Sequence, residues 1–210
     1  MKQKVMEMVK NRVKGIKDFY DDTAMMWTDE WYDNTTMMPF LKKVASILPK
    51  GARVLDLGCN SGYETRRMKD LGLVPVGLDF SEKSIAIAKD KNPDIDFVCD
   101  DMLNDLTYLG MFDSIVAIAS IIHIPIESLE LCFKRIYDIL NDDGYLCMVV
   151  RCEEGKLEAS YKTIDNQKYD REVYGFSKEL IEKKMNGKFV FVEEMKAHDV
   201  HWKYYFYKKV

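Results

Sequence analysis

Residues 54–68 read VLDLGCNSGYETRRM, an apolar run that enters a glycine loop and passes at once into a helix-like pattern. A loop of this kind lets a ligand approach the main chain closely and aims the first turn of a helix at it. Two familiar phosphate cradles fail on spacing. A G-x-G-x-x-G fingerprint starting at Gly58 would need glycine where Asn60 and Tyr63 stand, and G-x-x-x-x-G-K-[ST] finds no match. Asp79 ends the run VPVGLD, 21 positions after Gly58. A carboxylate at that separation, on the tip of a second strand, can accept hydrogen bonds from ribose hydroxyls, or it can cap the helix that starts at Ser81. His123, in Ile121-Ile122-His123-Ile124-Pro125, follows a fourth apolar run. It either takes a proton from an acceptor hydroxyl or amine or packs against Ile122 and Pro125. His198 and His201 have no chemical context in the sequence.

The elements that must position these residues follow from periodicity. Val5, Val9, Val13, Ile16 and Tyr20 recur at three- and four-residue intervals and predict an amphipathic first helix. The stretch 19–40, dense in aromatics and methionines, shows neither period and reads as a lid or packing segment, with a short helix over 40–48 after it. From Ala52, short β-prone runs alternate with helical ones, the pattern of βαβ units on a parallel sheet. The strands are expected at 52–58, 74–79, 95–99, 112–119 and 145–150, and the helices at 64–71, 81–91 with Ser81 as N-cap, and 127–140. The polar stretch 152–174 carries no element in this reading. A helix near 177–185 and two strands, 188–194 and 201–209, complete the chain.

The run Asp56-Leu57-Gly58-Cys59-Asn60-Ser61-Gly62 closely resembles the D-x-G-x-G-x-G first motif of class I S-adenosylmethionine-dependent methyltransferases, small-molecule type. Asn60 replaces the central glycine, and asparagine enters left-handed backbone more readily than most residues. Asp101-Met102 after the third strand match the family's adenine-binding position. The runs FDSIVAIASIIHIP and LNDDGYLCMVV resemble its fourth and fifth motifs, so the likeness covers 52–151 in order. Tyr20 to Trp27 is similar to an aromatic stretch that precedes the first motif in many relatives. There the first aromatic closes on the methionine part of the cofactor, although these rings could instead anchor the helix to the core.

The resemblance implies an α/β fold with a Rossmann-like, doubly wound, mostly parallel seven-stranded sheet, an antiparallel C-terminal edge hairpin and an N-terminal helical lid. It implies one domain, with 1–50 as helices and lid, 51–151 as cofactor-binding core and 152–210 as the acceptor-side part of the sheet. The implied cofactor is S-adenosylmethionine, leaving as S-adenosylhomocysteine. It would be held by Tyr20, Trp27, Asp56, Gly58, Cys59, Asn60, Gly62, Asp79, Phe80, Asp101, Met102 and Ala119. His123 is the candidate catalytic base, acting on the N or O nucleophile of a small-molecule acceptor. A tRNA or protein methyltransferase and a non-catalytic cofactor-binding protein are the alternatives. An N/D-P-P-Y/F motif of base or amide methylation is absent from Asp113-Ser114-Ile115-Val116.

Composition bounds the partners. The 210 residues suit one core, and 47% apolar with 31% charged residues is a globular balance. A net charge of −4 supplies no general attraction to nucleic acid or anionic membrane, so neither is expected as a partner. The 5 cysteines, Cys59, Cys99, Cys132, Cys147 and Cys152, are odd in number and contain no C-x-x-C pair, which reads as reduced thiols without a metal site. The N-terminus shows no apolar signal region, so the expected compartment is the cytoplasm. Oligomeric state stays open.

Overall fold

The computed structural model describes residues 2–162 and 168–210, with side chains described for 15–157 and 171–210. The first helix, α1 (Lys2–Trp31), is longer than expected and takes in much of the stretch read as irregular. Its buried positions beyond Tyr20 include Thr23, Ala24 and Thr28, so an apolar count misses the period. The two hydroxyls make the burial tolerable: Thr23 Oγ1 donates to Phe19 O at 2.7 Å and Thr28 Oγ1 to Ala24 O at 2.8 Å. Val5, Val9 and Val13, expected on the buried face, lie outside the described side chains.

Strands β1 (Arg53–Leu57), β2 (Val74–Asp79), β3 (Asp96–Cys99), β4 (Phe112–Ile118) and β5 (Leu140–Arg151) pair in parallel in the order β3-β2-β1-β4-β5. Successive residues of these strands face opposite cores, as the two-residue period requires. Leu55, Leu57, Ile115, Ala117, Leu146 and Met148 pack with helix α5 (Leu129–Ile139) and helix α6 (Lys178–Met185). Val54, Val116, Cys147 and Val149 pack on the other side with helix α2 (Met38–Ile47) and with Met68 of helix α3 (Tyr63–Asp70). A smaller cluster, Cys59, Ile85, Ala88, Ile95 and Phe97, lies beneath helix α4 (Glu82–Lys91), whose N-cap Ser81 accepts from the amide of Ser84 as expected. The doubly wound arrangement is therefore present.

Among the described residues the sheet has nine strands rather than seven. Strands β6 (Gly155–Lys162) and β7 (Lys168–Gly175) form an antiparallel hairpin from the stretch that carried no expected element, joined to β5 only at Arg151↔Gly175. The expected C-terminal pair is present as β8 (Phe189–Met195) and β9 (Trp202–Lys209), antiparallel to each other, with β9 also antiparallel to β5. Cys147 is buried beside Ser114, and no cluster of metal-ligating side chains occurs among the described residues. No helix among them is long and apolar enough to cross a membrane.

Candidate active site

Strand β1 has β2 on one side and β4 on the other, so the carboxyl ends of β1 and β4 flank the point where strand order reverses, the usual crevice of open α/β sheets. Gly58 leaves β1 with φ +86°, and a Cβ there would sit 2.3 Å from the Cβ of Ser120 beyond β4. The loop touches its neighbour because it has no side chain at this point. Gly58 and Cys59 amides both donate to Leu78 O, at 2.7 and 2.9 Å, which ties the loop to the end of β2. Asn60 takes the left-handed conformation (φ +50°) that its place in the motif led us to expect.

Asp79 binds this loop from the side. Its Oδ2 accepts from the Asn60 amide and its Oδ1 from the Ser81 amide, each at 2.9 Å. Burial pushes its carboxyl up to about 6, against the opposing pull of these amides. Each oxygen retains a lone pair for a further donor.

Under α1 lies a cavity of about 390 Å³. Tyr20, Trp27, Gly58, Asn60, Asp79, Phe80, Asp101, Met102, Ala119 and His123 all line it. Ala119 sits at φ +53°, unusual for a residue with a Cβ, where the chain leaves β4. Asp101 steadies its own turn, one oxygen accepting from the Leu103 amide at 2.9 Å. Asp56, Cys59 and Gly62 were expected to bind cofactor but do not line the cavity. The Asp56 carboxylate, 2% exposed, is turned toward α3 and accepts the Thr65 hydroxyl at 2.6 Å, and burial pushes it up to about 7. The Cys59 thiol is buried in the cluster under α4, and burial raises it well above the ordinary thiol range. Gly62 is closed by the Phe97 ring, 2.7 Å from where its Cβ would stand. These three shape the loop from behind.

His123 ends a 3-10 turn and is 8% exposed. Its Nδ1 lies 2.9 Å from Glu172 O and its Nε2 2.8 Å from the Tyr20 hydroxyl. A carbonyl only accepts, so Nδ1 carries the hydrogen and, in the neutral ring, Nε2 accepts from Tyr20. Arg171 Nη1 donates in turn to the Tyr20 oxygen at 2.8 Å. Hydrogen bonds thus run in one direction, from Arg171 through Tyr20 and His123 to Glu172. The Arg171 guanidinium is packed over the rings of Phe19, Tyr20 and Trp27 at 5.2, 5.7 and 5.8 Å.

Sequence reasoning missed Arg171, which arrives on the unexpected β7, and also missed Glu64, Ser120, Tyr63, His198 and Trp202 on the cavity wall. His198, without context in the sequence, has its Nδ1 2.5 Å from the Tyr204 hydroxyl, while His201 is exposed beside Glu153. Burial raises the Glu64 carboxyl, and Arg67 opposes the shift.

Comparison with known proteins agrees with this geometry. Residues 54–144 match the family model described as a methyltransferase domain. The chain is 30% identical over 148 residues to the carboxy-S-adenosyl-L-methionine synthase of Campylobacter concisus, covering 66% of this chain and 63% of that one. It is 29% identical over 154 residues to a tRNA (carboxymethyluridine(34)-5-O)-methyltransferase of Xenopus tropicalis, 73% of this chain and 23% of that one. Among solved structures, the 1,6-didemethyltoxoflavin-N1-methyltransferase of Burkholderia thailandensis, with 1,6-didemethyltoxoflavin and S-adenosylhomocysteine bound, superposes with a TM-score of 0.70 at 17% identity, over 96% of this chain and 90% of that one. The chain spans about half the length of the first curated relatives it matches.

Proposed function

We propose that this chain, which carries a class I methyltransferase domain, transfers a methyl group from S-adenosylmethionine to a nitrogen or oxygen of a small-molecule acceptor. The observation that carries this reading is the meeting of two sets of residues in one cavity. One set fits the donor: the bare main chain of Gly58, the Asp79 carboxylate with lone pairs left for ribose hydroxyls, and the apolar wall of Phe80, Met102 and Leu103 for a purine. The other is the Arg171–Tyr20–His123 chain of hydrogen bonds. When bound, S-adenosylmethionine supplies a methyl group already activated by its sulfonium, so the protein has no covalent intermediate to form. Alignment, water exclusion and removal of the acceptor's proton are what this chain contributes.

Each task has residues in place. Trp27 and Trp31 of α1 line the cavity and offer apolar surface that displaces water from a bound ligand. Tyr20 Oη and His123 Nε2 form a pair that can take a proton from an acceptor atom, and the Glu172 carbonyl holds the imidazole in the tautomer that leaves Nε2 basic. A cavity of about 390 Å³ is at the small end of small-molecule sites.

Titration calorimetry with S-adenosylhomocysteine tests the donor half of the reading. The wild type binds, and Asp79→Ala loses about 10- to 150-fold in affinity, the worth of charge-assisted hydrogen bonds. Because the Asp79 carboxyl lies at about 6, wild-type affinity falls as the pH drops through that value, where protonation removes the charged acceptor. The alanine variant lacks this step. Absence of binding by the wild type, or equal binding by the variant, contradicts the assignment.

A further inference from the structure

The first motif's own acid, Asp56, does not line the cavity, but a different acidic residue does. Glu64 is the second residue of α3, 4% exposed, and it lines the cavity. Its Oε1 lies 3.0 Å from Arg67 Nη1, whereas its Oε2 is buried with no hydrogen-bond partner among the described residues. A buried carboxylate oxygen in a native structure normally has a donor, so a ligand that brings one fits here. Arg67 does not supply it. Its Nη2 donates to the carbonyls of Trp31 and Tyr32, at 3.1 and 2.6 Å, so the guanidinium is fixed between the end of α1 and Oε1. Trp31, Tyr63 and Trp202 also line the cavity, and aromatic rings favour a cation.

Resting on the methyltransferase reading, we propose that Glu64 Oε2 receives the α-ammonium group of the donor's amino-acid end. Chain continuity favours the donor over the acceptor. Asp79, the ribose candidate, is bonded to the amide of Asn60, and Glu64 follows Asn60 by four residues at the junction of the same loop with α3. A nucleoside whose ribose is held by Asp79 carries its 5′ substituent along this loop. The group at the end of that substituent is a primary ammonium with three N–H donors, which suits an acceptor-only oxygen beside aromatic rings.

Calorimetry on the full chain decides the matter with two ligands, S-adenosylhomocysteine and the analogue in which hydrogen replaces its α-amino group. The wild type prefers the amine by about 10- to 100-fold, the range of a hydrogen bond between charged groups. Glu64→Gln reduces the preference to under about threefold, while its affinity for the deaminated analogue stays at the wild-type value and thereby reports an intact pocket. Asp56→Asn keeps the full preference. No preference in the wild type, the same preference in Glu64→Gln, or loss of preference in Asp56→Asn overturns the proposal. So does a Glu64→Gln protein that binds both ligands normally but has a raised KM for acceptor. Failure of the wild type to bind either ligand refutes the methyltransferase reading itself, which is a separate result.

Discussion

Around His123, the direction of each hydrogen bond determines what the group can do with a proton. The imidazole lone pair is held by the Tyr20 hydroxyl, so an acceptor proton reaches His123 either by displacing that hydroxyl or by passing through it. Arg171, donating to the same oxygen, favours negative charge on Tyr20 as its proton leaves. His123→Ala and Tyr20→Phe are therefore expected to lower turnover by about 10²- to 10⁴-fold each, and the double variant by no more than the worse single one. Steady-state kinetics with melting temperatures measured on the same proteins checks this. Losses that multiply in the double variant separate the two residues, and normal turnover in Tyr20→Phe removes the relay. Asp79 and His123 were legible because their positions follow from strand ends. Asp56 was misplaced because a motif specifies residue types and not side-chain directions. The alternation of β1 contained the correction, since Val54 and Asp56 share a face, the side on which α3 packs.

Element by element, the helix that covers the cavity is bonded at several points along its length. Lys17 pairs with Glu82, Asp21 accepts the Ser81 hydroxyl at 2.7 Å, Thr28 Oγ1 meets Ser61 Oγ at 2.7 Å, and Arg67 holds the carbonyls at its end. Tyr20, Trp27 and Trp31 of α1 line the cavity, and a bound ligand adds its own contacts with them to those that already hold the helix. Hydrogen exchange should then show amides 20–31 gaining protection when S-adenosylhomocysteine is added, with the sheet core unchanged. Equal protection with and without ligand means that α1 is a fixed wall. Most of the βαβ core was readable from sequence because its strands are buried on both faces and its helices carry clear stripes. The second half of α1 was not, because threonines occupy buried positions and Met25 is 59% exposed. Nor was the β6–β7 hairpin, which meets β5 at the Arg151–Gly175 pairing and whose alternation of Leu157, Ala159 and Tyr161 with polar residues sits inside a stretch that is polar overall. Arg171 was lost with it.

For the whole molecule, charge and the cavity support the proposal of a small-molecule acceptor. A net charge of −4 supplies no general attraction to a phosphate backbone, the source of most non-specific nucleic-acid affinity. Trp27, Trp31, Arg171 and His123 line one cavity. Such a site suits an acceptor that enters whole. The most direct test supplies methyl-labelled S-adenosylmethionine together with a pool of small amines, phenols and carboxylic acids, total RNA and total protein, then separates the fractions. The expected result is label accumulating over many turnovers in the small-molecule fraction and falling by about 10²- to 10⁴-fold with His123→Ala. Label appearing stoichiometrically in RNA or protein, with none in the small molecules, would contradict the proposed function.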